Sequence, residues 1–330
     1  MKFVEILFCA TLVSVSMSCL SQSAYGDEPL AHTYSIVARD PVTGEMGVAV
    51  QSHWFSVGTI VSWGEAGVGV IATQSLVNPA FGPRGLALLK AGLTAQQALD
   101  ALIEGDEGRA VRQLAILDAA GNVAGYTGSN CIQFAGDQQG SNYSVQANLM
   151  RSDQVWPAMA SAFEHSEGPL AERLLLALEA GEQAGGDIRG KQSAAILVVA
   201  PESTGQPWVD RIVDLQIADH PEPLTEMRRL LNVHQAYAFM NRGDVAIEHG
   251  DVSGALEAYR AAEALFPENI EMQYWHAVSL ANVGRTDDAL PLFRKIFLQE
   301  PEWRTLTPRI AKAGMLTVSR EDLDRILHLK

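Results

Sequence analysis

The chain has 330 residues, 47% hydrophobic and 19% charged, with 24 Lys and Arg against 39 Asp and Glu for a net charge of −15. That length suggests two domains, and the hydrophobic content suits folded cores rather than wholesale disorder. An acidic chain without a cluster of Lys and Arg is a poor binder of polyanions, so no nucleic-acid partner is expected.

The first 26 residues read as a signal peptide. Lys2 precedes an apolar stretch from Ile6 to Met17, and Ala24-Tyr25-Gly26 places small residues three and one before a cut after Gly26. The apolar stretch is shorter than the roughly 20 residues of a membrane span. The protein is therefore expected to be exported, to the periplasm or outside the cell. The alternatives are an uncleaved anchor, or a lipid anchor at Cys19, which Ser16 disfavours at a position where a lipobox takes an aliphatic residue. Cys9 and Cys19 lie in this segment, so Cys131 alone remains afterwards and no internal disulfide is expected.

Thr33 to Ala38 alternates and is rich in β-branched residues, Asp40 to Glu45 is a turn sequence, and Met46 to Ser52 is a second strand. Val57 to Ser62 and Val68 to Thr73 read as two more strands. Helices follow at Gly85 to Ala91 and Ala95 to Glu104, the second with Thr94 and Gln97 at capping-box spacing. Gln113 to Asp118 and Val123 to Thr127 form a hairpin around Ala120-Gly121-Asn122. A helical region runs from Gln154 to Glu182 with an interruption at Gly168-Pro169. Ala194 to Ala200 is a strand buried on both faces, with Trp208 to Ile217 as its partner. Mostly antiparallel strands with grouped helices predict sheets covered by helical layers.

Ala218 to Pro223 reads as a linker, followed by a helix from Leu224 to Met240. Residues 27–220 carry a net −12 and residues 221–330 a net −3, so the acidity belongs to the first domain. At an offset of 34 residues Gly250 aligns with Gly284, Ala255 with Ala289, Tyr259 with Phe293 and Pro267 with Pro301. This is the tetratricopeptide period, and residues 236–303 resemble about two such repeats. The glycines end the first helix of each pair, the alanines let helices approach, and the prolines stop the second helix. A last helix from Ser319, with Asp322 at capping spacing, covers the end of the stack. Such repeats offer a groove for a peptide or protein partner, or else pack against the first domain or support a homo-oligomer.

Nucleotide and metal motifs are absent. There is no GxGxxG before a helix, no Walker A sequence, no HExxH and no GxSxG, so no cofactor and no metal is expected. His53 beside Trp54, and Cys131, read as structural residues.

TYSIVARDPVTGEMGVAVQS (33–52), GVGVIATQSLVNPAFGPRGLALL (67–89), GNVAGYTGSNC (121–131), YSVQANLM (143–150) and GGDIRGKQSAAILVV (185–199) occur in order along residues 33–220. Together they resemble the family of domain of unknown function 1028, of the N-terminal-nucleophile hydrolase superfamily. The resemblance implies an α+β fold, a four-layer α-β-β-α sandwich, followed here by an all-α helical-repeat domain. It also implies an amide or small-peptide substrate and a nucleophile at Thr33. A Thr hydroxyl is a weak nucleophile, and a chain-terminal Thr has its own α-amine as base.

Export cleavage after Gly26 leaves a leader, Asp27 to His32, ahead of Thr33, which self-cleavage or trimming must remove. From Tyr34 to Leu89 there are Arg39 and Arg84 but no Lys, so charge assistance comes from an Arg, from Lys191, or is absent. By position in the matching motifs, Ser52 orients the terminal amine, and Asp187 with Arg189 supports the nucleophile. Asn130 and Asn148 are candidate oxyanion donors. Gln74, Asn78 and Arg84 are candidate substrate-binding residues.

Overall fold

A computed structural model describes residues 30–329; the expected export signal and Cys19 lie outside them. In chain order the elements are β1 (Leu30–Ala31), β2 (Thr33–Arg39), β3 (Met46–Ser52), α1 (Gly58–Val61), β4 (Ser62–Glu65) and β5 (Gly69–Leu76). Next come α2 (Phe81–Lys90), α3 (Ala95–Glu104), β6 (Arg112–Asp118), β7 (Val123–Thr127), β8 (Gly136–Gly140) and β9 (Tyr143–Ala147). Then follow α4 (Val155–Glu164), α5 (Leu170–Gln183), β10 (Ser193–Val199), α6 (Pro207–Asp210) and β11 (Arg211–Ile217). The helical region comprises α7 (Pro223–Glu248), α8 (Val252–Leu265), α9 (Ile270–Asn282), α10 (Thr286–Gln299), α11 (Glu302–Lys312) and α12 (Arg320–Leu327).

The fold is mixed α+β, with two antiparallel sheets and a C-terminal helical region. One sheet runs β11-β10-β3-β2-β9-β8. The other runs β1-β5-β6-β7, and β4 shares the β1 edge of β5. Strand alternation sorts the side chains. Val37, Val48, Val50, Val70, Ala72, Ala115 and Leu117 fill the space between the sheets. Tyr34, Ile36, Ala49 and Ile196 point the other way, onto Met159, Phe163, Leu174 and Leu178 of α4 and α5. Ile71, Leu114 and Ile116 meet Leu86, Leu99 and Leu102 of α2 and α3. Helices thus cover the outer face of each sheet.

Close helix packing depends on missing side chains. A Cβ on Gly82 of α2 would fall 2.2 Å from the Trp63 ring, so the helix start lies directly on the indole. The Thr94–Gln97 capping box forms at the head of α3 as its sequence predicts.

Four expectations are corrected. Val57 to Ser62 is not a strand: its first part is the helical turn α1, and the strand is β4. An added Cβ on Gly58 would lie 2.5 Å from the Ala195 methyl, a close approach that fixes this turn against β10. Trp208 to Asp210 is likewise helical before β11 begins. The β8–β9 hairpin and β1 were not anticipated from sequence.

The fourth correction concerns the extent of the helix after the linker. It is one rod of 26 residues, Pro223–Glu248, rather than ending at Met240. Its Leu224, Met227 and Leu231 belong to the sheet-side core, while Ala236 and Met240 pack with Ala255, Tyr259 and Ala262 of α8. Arg228 bonds Glu179 at 2.8 Å and also Glu172, tying α7 to α5. Beyond it, Gly250 and Gly284 follow their helices at φ +76° and +77°, where glycine is favoured. Ser319 caps α12 by accepting from the Asp322 amide at 3.0 Å.

Candidate active site

The polar end of the space between the sheets is built by strand phase. On β2, Thr33 and Ser35 share the inward face with Val37. On the facing sheet Gln74 of β5 stands opposite Gln113 of β6 in register. All four are fully buried. Such groups are tolerated in a core only when hydrogen-bonded, and here they are. Ser35 donates to Gln74 Oε1 at 2.6 Å, and Gln74 Nε2 donates to Gln113 Oε1 at 2.7 Å and to the Thr33 carbonyl at 3.2 Å. Gln113 Nε2 reaches Thr127 Oγ1 at 2.9 Å and the Ala147 carbonyl at 2.9 Å. Gln146 of β9 donates to Ser35.

Asn148, just past β9, links this network to the head of β2. Its backbone N–H donates to the Thr33 carbonyl at 3.1 Å and its Nδ2 to Gln113 Oε1 at 2.8 Å. Its Oδ1 then faces His32 Nδ1 at 2.7 Å, so His32 carries its proton on Nδ1. Burial lowers the His32 pKa, and the Arg189 charge adds to this, against the raising effect of Asn148 and Asp187. The ring is neutral at neutral pH.

The peptide bond before Thr33 receives a converging pair of donors. Ser52, opposite Thr33 in the β2–β3 register, donates to the His32 carbonyl oxygen at 2.6 Å. Arg189 Nη2 donates to the same oxygen at 2.6 Å. Asp187 holds the guanidinium, accepting from Nε at 3.0 Å and from Nη2 at 2.7 Å, and it takes the Arg189 amide at 2.9 Å. The Asp187 carboxylate is fully buried and also accepts the His53 amide at 3.3 Å. Thr33 Oγ1 donates to the Ala31 carbonyl at 2.7 Å. A hydroxyl therefore lies one residue past a carbonyl polarised by a hydroxyl and a guanidinium, an arrangement that stabilises negative charge on that oxygen.

Of the residues singled out in the sequence, Thr33, Ser52, Gln74, Asn148, Asp187 and Arg189 come together. Asn78, Arg84 and Asn130 do not. Asn78 Oδ1 accepts the Ala80 amide at 3.1 Å in the turn before α2. Arg84 is exposed on α2, and Asn130 is exposed in a turn where its amide donates to the Ala110 carbonyl at 2.7 Å. Lys191 is engaged elsewhere, on Glu222 at 2.6 Å, so Arg189 is the cation at the His32 carbonyl. Cys131 donates to the Arg112 carbonyl at 3.3 Å, and burial raises its pKa, which keeps it a thiol.

Sequence reasoning missed Gln113, Gln146 and the role of His32. A signal for Gln113 was present, a polar residue in phase with Ala115 and Leu117, whereas Gln146 shares its phase with Ser144 and reads as a solvent face. A groove of about 650 Å³ lies between β4, α2 and β10–β11 and includes none of the Thr33 surroundings. The space in front of Thr33 is filled by Ala31 and His32, 0% and 3% exposed. Among the described residues no cluster of three or more His, Cys, Asp or Glu could hold a metal ion, and no helix is long and apolar enough to cross a membrane.

Fold and site together define a mixed α+β protein whose facing antiparallel sheets bury a threonine at the head of a central strand. The chain belongs to the family of unknown function DUF1028, whose model matches residues 33–227. A protein of this family from Silicibacter pomeroyi, known from a crystal structure, is similar at 34% identity and a TM-score of 0.55, covering 61% of this chain and 85% of that one. The ancestral β-subunit Anbu from Yersinia bercovieri is 12% identical with a TM-score of 0.30, over 60% of this chain and 92% of its own, a likeness too low to bear on the fold. No curated protein matches the chain.

Proposed function

We propose that this chain is an exported amide hydrolase of N-terminal-nucleophile type, with Thr33 as the attacking residue. On this reading the sheets and their helices are the four-layer α-β-β-α sandwich of that superfamily. Residues 1–26 are the signal peptide, residues 27–32 are a propeptide, and α7–α12 carry about two tetratricopeptide repeats. The substrate is an amide or a small peptide.

The observation that carries the reading is the His32 carbonyl held by Ser52 and Arg189 directly before Thr33. The family match beginning at Thr33 adds support. In self-cleavage Thr33 Oγ1 bonds to the His32 carbonyl carbon, and the two donors take up charge on its oxygen. The C–N bond then breaks as a proton passes to the Thr33 nitrogen. Water hydrolyses the resulting ester and frees the hydroxyl. The new α-amine, with an ordinary pKa of roughly 7.7–8.0, serves as base in later turnovers. Asp187 fixes Arg189, and Asn148 and Gln74 fix the Thr33 carbonyl.

Intact mass of the exported protein tests this. The mature chain is expected to begin at Thr33, and Thr33→Ala to retain the leader. A mature chain starting elsewhere, with undiminished activity in Thr33→Ala, overturns it.

A second reading is a non-catalytic periplasmic binding or scaffold protein that works through the surface of α7–α12. It is motivated by the residues that precede Thr33 and by the repeat pattern of residues 236–303. An exported protein that never begins at Thr33, and that recovers the same partner with or without Thr33→Ala, selects it.

A further inference from the structure

The residues ahead of Thr33 lie in a defined slot. Leu30 and Ala31 pair antiparallel with Leu76 and Ser75 at the end of β5. The rest of that edge, Gly69 to Ala72, is taken by β4, so β1 fills a short opening. Ser75, opposite Ala31, is held at φ +75°, a strained conformation for a residue with a side chain. Ala31 is fully buried among the apolar residues between the sheets, so its site accommodates a methyl group. His32 is almost as buried, and its ring bonds Asn148. Its carbonyl meets Ser52 and Arg189. Main-chain pairing, a small side-chain site, a polar side-chain site and a polarised carbonyl thus follow one another over three residues.

We propose that the leader marks the substrate site, and that the substrate is the acyl side of an extended peptide bound as an added strand on the end of β5. The residue at the cut is polar and hydrogen-bonds Asn148, and the residue before it is small, glycine, alanine or serine. Strand addition draws affinity from main-chain hydrogen bonds and specificity from alternate side-chain sites. A single amino-acid amide would leave the β5 edge unpaired and is a poor substrate. The leader occupies this site in cis, and its departure opens the site. In turnover the peptide acyl carbon passes from its amine to Thr33 Oγ and then to water, with the amine leaving protonated. The inference rests on the hydrolase reading for its chemistry, and the slot itself can be tested without catalysis.

The full chain carrying Thr33→Ala cannot cut and keeps the leader in its site, whereas the same Thr33→Ala chain begun at residue 33 lacks it. A fluorescent peptide of residues 27–32 (Asp-Glu-Pro-Leu-Ala-His) is titrated into both proteins and followed by anisotropy. The chain begun at residue 33 is expected to bind it and the full chain to exclude it. Phe in place of the peptide's Ala should weaken binding roughly tenfold or more, the scale of overpacking. In parallel, matured wild-type protein is given Leu-Ala-His and Leu-Phe-His anilides, with kcat/KM expected to favour the first by a similar factor. Equal binding of the two peptides, or equal hydrolysis of the two anilides, overturns the slot. If no anilide is cut and no chain begins at Thr33, the hydrolase reading fails. The slot then stands or falls on the binding comparison.

Discussion

Ser52 stands opposite Thr33 in the β2–β3 register, yet its hydroxyl lies 2.6 Å from the His32 carbonyl oxygen. The strand pairing that aligns β2 and β3 thereby aims a donor at the bond preceding the candidate nucleophile. Ser52→Ala is expected to slow scission at His32–Thr33 roughly 100-fold, the scale of losing one oxyanion donor. Arg189→Ala should do at least as much, since it also leaves the buried Asp187 carboxylate without its cation. Timed intact-mass spectra after refolding check both. Unchanged rates would remove these residues from the mechanism.

The leader should loosen in mild acid. Burial holds the His32 pKa below its ordinary value of 6.5. Above 6.5 the ring is neutral whether the leader is docked or free, and the docked form has its full stability. As pH falls below 6.5 the undocked ring takes up a proton first, so docking weakens progressively down to the docked pKa. Hydrogen-exchange protection of Ala31 in the Thr33→Ala chain, corrected for intrinsic rates, should therefore drop between pH 7.5 and pH 5. His32→Gln should flatten the dependence.

Gln113→Leu should destabilise the fold by about 1–3 kcal/mol, the range for stranding a buried polar group. The substitution deprives Gln74 Nε2 and Asn148 Nδ2 of a shared acceptor and removes the side-chain donor to Thr127 Oγ1 and the Ala147 carbonyl. Urea unfolding measures the cost. The loss should exceed that of Asn130→Ala, because Asn130 lies in an exposed turn.

Gly82→Ala separates packing from helix propensity. Propensity alone favours alanine in a helix by roughly 1 kcal/mol. The added methyl would lie 2.2 Å from the Trp63 ring, and overpacking of this kind costs about 1–3 kcal/mol. A lower thermal midpoint is expected, with a shifted Trp63 emission. A raised midpoint would show that the indole moves aside freely.

Local patterns read true where sequence and packing demanded the same residues. Strands β2, β3 and β10 alternate or run apolar because they lie between two layers, and Thr94 with Gln97 announces α3 because the cap is a local bond. The β8 sequence GDQQG carries no apolar alternation, since among the described residues it forms the sheet edge and pairs with β9 alone. β1 is two residues long and is held by β5 rather than by its own pattern. Val57 to Ser62 misled because its valines suit a strand, while the close contact at Gly58 selects a helical turn. In the site, Thr33, Ser52, Asn148, Asp187 and Arg189 were legible through motif position. Asn78, Arg84 and Asn130 shared the same motifs but serve turns and surface. Gln113 stood out against Ala115 and Leu117 on its strand, but a single sequence does not show which groups it meets.

The 26-residue helix α7 has a mechanical consequence. Its first turns complete the wall of the sheet core, and its last turns begin the helical stack. The family match stops at Met227, inside this rod. The C-terminal helices are therefore mounted by prolonging an existing beam rather than by hanging from a tether. Their bearing is set by helix geometry, and cutting the chain at the apparent linker would pull a structural member out of the sheet domain together with its attachment.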